Sequence, residues 1–238
     1  MFLQNCLLVN LAFCSLAVAQ TEYSEELLRV KSRFSDAEIV AVAEMYKGLQ
    51  TDAGRHLDLF PLRKTGISTG PIVAAANAFL RLLTPSQKIK NLFSVDDSEW
   101  RKWSNVDNGI YVRQGVALEE MNSKQKQAAM SLITESLSAK GLELSLDIMK
   151  TDQTLREINN SVLLYGEDKY FFTLMGLPSS DEPWGWQLDG HHFVINYFVL
   201  GNQVVVSPMF LGGEPVVTES GKYQGNEILQ HLDETYFS

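Results

Sequence analysis

Two hydrophobic patterns divide the chain near residue 168. Before it, apolar positions recur three and four residues apart, as on a helix. After it they run on or alternate, and aromatic and β-branched residues dominate, as in strands. In the first part, Ser35-Asp-Ala-Glu38 has the form of a capping box, and the run after it places Ile39, Val42, Ala43 and Tyr46 on one face. Residues 49–70 are loop-like, with Gly54, Pro61, Gly66 and Gly70. A helix is expected to restart near Pro71 and run to Leu83. Thr84, Pro85 and Gln87 then form a second start signal, and Asn122 with Gln125 a third. That third helix is expected to end near Gly141, after Lys140, with one more helix over 142–158. The similarity of these starts reads as shared capping chemistry, not a repeat.

In the second part, Tyr170–Met175 reads as a strand stopped by Gly176, followed by a loop with Pro178, Pro183 and the acidic pair Asp181-Glu182. Gly201-Asn202 fits a two-residue turn, which sets a register of Val199 against Val204, Tyr197 against Val206 and Asn196 against Ser207. Alternation then gives one core face with His191, Phe193, Ile195, Tyr197 and Val199. The opposite face carries His192, Val194, Asn196 and Phe198 with Ser207. The expected fold is α+β, with a helical N-terminal two-thirds packed on a C-terminal antiparallel β-sheet containing a 191–210 hairpin.

Residues 1–19 carry no charge and end in Ala17-Val18-Ala19, as a cleaved signal peptide does. The alternative is an uncleaved apolar anchor. Cleavage would leave a single secreted domain over 20–238. It would also remove both cysteines, Cys6 and Cys14, and with them any disulfide or thiolate ligand. The formal charge of −9, without a Lys/Arg cluster, argues against nucleic acid or anionic lipid as partner. Nothing in the pattern sets an oligomeric state.

The chain has no G-x-S-x-G elbow, no H-E-x-x-H helix and no glycine-rich phosphate loop. Ser179-Ser180-Asp181 reads as a loop. The polar members of the hairpin remain: His192, Asn196 and Ser207 share a face. They are either a hydrogen-bonded trio covered by helices or a site, with His192 as base or metal ligand and Asn196 and Ser207 orienting substrate. His191 can join His192 on a divalent metal only if the chain bends between them. Outlying ligands would be His56 or His231 with Glu119, Glu120 or Glu214. Trp184 and Trp186, two apart, either stack on a small molecule or glycan or fill the core. Gly185 between them permits close approach of another backbone.

"WGWQLDGHHFVINY" followed by "VVVSPMFLGGEPVV" resembles the signature of the domain of unknown function 3500 family, a W-G-W-x-x-x-G-H-H segment, a strand ending in Asn, then P-x-F-x-G-x-x-P. Here these are Trp184 to His192, Asn196, and Pro208 to Pro215. "YFFTLMGLP", "EWRKW" and "GVALEEMNSKQKQAAMSLITESLSAKGL" resemble further blocks, so the likeness spans roughly 75–232. Val194 stands where the family commonly has a small hydroxyl residue. The family domain usually continues further, so the resemblance implies a C-terminally incomplete member. It implies no activity. The leading expectation is a secreted enzyme with a polar site on the 191–210 hairpin, for which a divalent metal is one candidate cofactor. The alternatives are a non-catalytic module binding a small molecule or glycan, and a degenerate, inactive relative.

Overall fold

Helix formation begins earlier than Ser35. In the computed structural model, which describes residues 22–45, 47–48, 50–56, 66 and 68–230, helix α1 spans Glu25–Ala43. Ser24 caps it by accepting from the Leu27 N–H at 3.2 Å, and Glu25 and Glu26 favour the positive helix end. Ser35 and Asp36 are therefore interior, because an equally good start signal lies upstream of them. Ile39 is exposed, and no residue of α1 is buried. Polar contacts hold this helix: Arg101 donates to the carbonyls of Ala41, Val42 and Glu44, and the Tyr111 hydroxyl to Glu38. The apolar N-terminal segment with its cysteines, Tyr46, Pro61 and His231 lie outside the described residues.

A two-residue hairpin, β1 (Gln50–Thr51) and β2 (Gly54–Arg55), precedes α2 (Gly70–Leu82), which buries Ile72, Ala76 and Phe79. Two of the three expected capping boxes form, Thr84 with Gln87 on α3 (Pro85–Asn91) and Asn122 with Gln125 on α4 (Ser123–Ser136). They also meet, since the Gln125 amide donates to Gln87 Oε1 at 2.7 Å and to the Leu82 carbonyl at 2.9 Å. Helix α4 stops at Ser136, not at Gly141. Ser138 starts α5 (Ala139–Ile158) by accepting from the Gly141 N–H, so Gly141 lies in a first turn and not at a C-cap.

Short strands β3 (Leu92–Phe93) and β4 (Val116–Ala117) join β5 (Phe171–Met175), β6 (Trp184–Gly190), β7 (Phe193–Leu200) and β8 (Gln203–Leu211) in one six-stranded sheet. Its order is β3-β5-β6-β7-β8, with β4 also on β5. The pair β3–β5 is parallel and the rest antiparallel, so the sheet is mixed, not antiparallel. Two-residue strands embedded in the helical part leave no alternation to read. The turn at Gly201-Asn202 and the pairs Val199–Val204 and Tyr197–Val206 form as expected. Between Ile195 and Tyr197 the ladder slips, and Asn196 faces both Ser207 and Pro208 across a bulge.

The inner face of β6 and β7 packs with α2, α4 and α5 around Phe79, Leu132, Ile148, Phe172, Trp186 and Ile195. The outer face is crossed by the segment between β3 and β4. There Arg113 pairs with buried Asp189 at 3.1 Å, and Trp100, in the 3-10 turn Ser98–Arg101, lies over Gly185. Beyond β8, residues 212–229 fold back onto α5. Asn226 donates to the Asp147 carbonyl, the Lys222 N–H to Glu157, and Ile228 enters the core.

Candidate metal centre

Strand β6 ends at Gly190, which pairs with Phe193 at the start of β7. His191 and His192 are therefore the two residues of a tight turn, not the start of a strand. His192 takes a left-handed backbone, φ +57°, at a cost of order 1 kcal/mol for a residue with a Cβ. The turn is pinned from three sides. The His192 N–H donates to the Asn105 carbonyl (3.0 Å), the Gly212 N–H to the His192 carbonyl (2.8 Å), and the Tyr170 hydroxyl to the His191 carbonyl (3.1 Å).

This turn supplies the bend that a straight strand would deny. The two imidazole rings lie on the same side, with centroids 3.9 Å apart. His191 is buried, and its Nδ1 meets Asp152 Oδ1 at 2.7 Å. Asp152, buried on α5, also accepts the Gly166 N–H at 2.7 Å through Oδ2. With Nδ1 committed to the carboxylate, Nε2 is the nitrogen left for another partner. His192 is half-buried, and its Nε2 lies 3.4 Å from Glu214 Oε2. Burial, and then the neighbouring His191, hold His192 below the ordinary imidazole range, while Glu214 pulls the other way. One donor atom each from His191, His192 and Glu214 lie within 4.8 Å of one another. Tyr165 packs on His191, and burial together with Asp107, Glu214 and Asp152 raises its phenol.

The sequence-derived trio does not assemble. Asn196 and Ser207 line one pocket with Trp100 and Phe198, but His192 is absent from it. Asn196 stands four positions along the chain from His192, roughly 13 Å when extended. The Asn196 amide accepts from Gln187 (2.8 Å) and donates to the Pro208 carbonyl (3.1 Å). Trp184 and Trp186 are fully buried, and Trp186 stacks on Tyr197 at 5.3 Å. Their spacing puts both on the inner face of β6, so they are core and not a stacking platform. Gly185 between them does admit another backbone, that of Tyr197, and also the Trp100 ring. Of the outlying ligands, Glu119 pairs with Lys169, Glu120 with Lys90, and exposed His56 with Thr51. Among the described candidates, Glu214 alone reaches the histidines. Ser179 accepts from the N–H groups of Asp181 and Glu182, as a loop residue.

Asp152 and Trp100 were not singled out by the sequence pattern. A signal for Asp152 exists: it stands four residues after Ile148 and three before Leu155, an acid in the buried stripe of α5.

Residues 65–238 match the protein family described as "Protein of unknown function (DUF3500)". Neither the curated proteins nor the solved structures yield a match.

Proposed function

The chain belongs to the DUF3500 family, and we propose that within it the turn at His191-His192 binds a divalent transition metal and serves as the centre of a secreted, metal-dependent hydrolytic enzyme. The observation that carries this reading is the convergence of His191, His192 and Glu214 donor atoms within 4.8 Å, with Asp152 behind His191. Donors at ~2.1 Å from a tetrahedral ion stand ~3.4 Å apart, so a small contraction completes the set. Two imidazoles and one carboxylate leave coordination open, as in catalytic and not closed structural sites. A divalent ion held there would supply Lewis acidity and make bound water a nucleophile near neutral pH.

The chain's own groups have distinct parts in this reading. Asp152 fixes the His191 ring and its tautomer, as carboxylates behind metal-bound histidines do. His192, kept neutral by its surroundings, offers a lone pair at neutral pH. Glu214, exposed on the loop after β8, completes the set from the solvent side. The uncharged segment ending Ala17-Val18-Ala19 supports secretion.

The test is elemental mass spectrometry of the mature protein, purified without chelator or histidine tag. Near-stoichiometric zinc, manganese or iron, lost in His192→Ala, supports the reading. A folded wild type without metal, or metal retained in His192→Ala, overturns it. A hydrolytic activity against ester or amide substrates that a chelator abolishes and metal restores would establish the enzyme.

A further inference from the structure

Apart from the metal centre, the outer face of the sheet carries a cavity of about 540 Å³, within the ~300–1,000 Å³ of small-molecule sites. Its walls come from two places. Strands β7 and β8 contribute Asn196, Phe198, Ser207 and Pro208 at the bulge. The segment before and within the 3-10 turn contributes Asp96, Asp97, Trp100 and Arg101. We propose that this cavity is a binding site for a neutral sugar ring, with Trp100 as its stacking face.

Trp100 is fixed before any ligand arrives. Its Nε1 donates to the Val95 carbonyl at 2.8 Å, and Phe198 meets it edge-on with centroids 6.1 Å apart. The ring rests where Gly185 leaves the outer face of β6 bare; an added Cβ there would lie 2.6 Å from the indole. A held indole face suits the C–H face of a pyranose, and a rigid aromatic loses little conformational freedom on binding. Around it stand acceptors and hydroxyls for the sugar rim: the Asp96 and Asp97 carboxylates and the Ser207 Oγ.

Charge selects within this class. The two carboxylates disfavour an anion. Arg101, the cation in the same wall, is committed to the carbonyls of Ala41, Val42 and Glu44 at 2.7–3.0 Å, and so does not recruit one. Its charge offsets one of the two carboxylates, so the wall stays net acidic and a small cation is the ligand to compete against. A neutral polyhydroxyl ligand pays no charge penalty and uses the carboxylates as acceptors.

The experiment is saturation-transfer difference NMR and calorimetry on the whole mature chain. The probes are cellobiose, chitobiose and methyl α-D-mannopyranoside, with tetramethylammonium as the competing cation. At least one sugar is expected to bind saturably. Trp100→Ala should weaken it by roughly tenfold or more, while Trp100→Phe retains most of the affinity. Ser207→Trp, at an exposed position that fills the cavity without touching the core, should abolish binding even if Trp100→Ala fails to fold. His192→Ala should leave it unchanged, so this result is independent of the metal. Three outcomes overturn the proposal: no probe sugar binding at ~10 mM, binding that survives Ser207→Trp, or tetramethylammonium displacing the sugar or binding in its place.

Discussion

Asp152 shows how a single buried side chain can decide what a turn does. Its carboxylate joins His191 and the Gly166 N–H, so it sets the imidazole that faces the candidate ion and anchors the chain before β5. Asp152→Asn keeps the shape but offers one acceptor and a misplaced donor. Metal affinity should fall ~10–100-fold while the sheet stays folded, measured by competition against a chromogenic chelator. Unchanged affinity would mean that Asp152 holds the chain and nothing more. The histidines themselves were legible as unusual in the sequence, and so was Glu214 as one of several acids. Their convergence was not. Strand alternation was applied two residues too early, across a turn in which His192 adopts a positive φ that no periodicity reveals.

Among elements, β6 shows how one pattern can have two readings. Trp184-Gly-Trp186 looks like an aromatic platform, yet its tryptophans face inward and its glycine holds the outward position. Gly185→Ala would push a methyl into the Tyr197 carbonyl and the Trp100 ring. It should cost ~1–3 kcal/mol in urea unfolding and change the near-UV circular dichroism of Trp100. A neutral result would mean that the 3-10 turn moves aside easily. The two capping boxes on α3 and α4 were legible because their chemistry is local, as were the Gly201-Asn202 turn and the register beside it. Strands β3 and β4 were not, since two residues carry no period and their partners lie in β5, far along the chain. Gly141 was misread for a related reason: glycine suits a helix end, but Ser138 three residues earlier makes a start.

For the whole molecule, the covering segment over the outer face has a consequence for pH. Glu99, 1% exposed, is raised to about 7, chiefly by burial, with Lys102 at 3.4 Å opposing the rise. An acid raised in the folded state keeps its proton there after the unfolded chain has lost it. Folding is therefore favoured below the ordinary glutamate range, weakens as pH climbs towards 7, and changes no further above that. The loss is on the order of 3 kcal/mol. Glu99→Gln should remove this part of the slope, read as the difference between variant and wild-type melting temperatures from pH 4 to 8. Parallel curves would count against it. The α+β class was legible from the change of pattern near residue 168, whereas the way residues 94–113 cover the sheet was not, because it rests on polar contacts such as Arg113 with Asp189. The segment after β8 is tied down in the same manner, and Glu214 lies on it. Asn226 and Lys222 fasten it to α5, and Ile228 plugs it into the core. The freedom of that loop is surrendered once, when the protein folds, and not again at each encounter with a ligand. How tightly the turn can hold an ion is thus set partly by the grip of α5 on residues that never touch it.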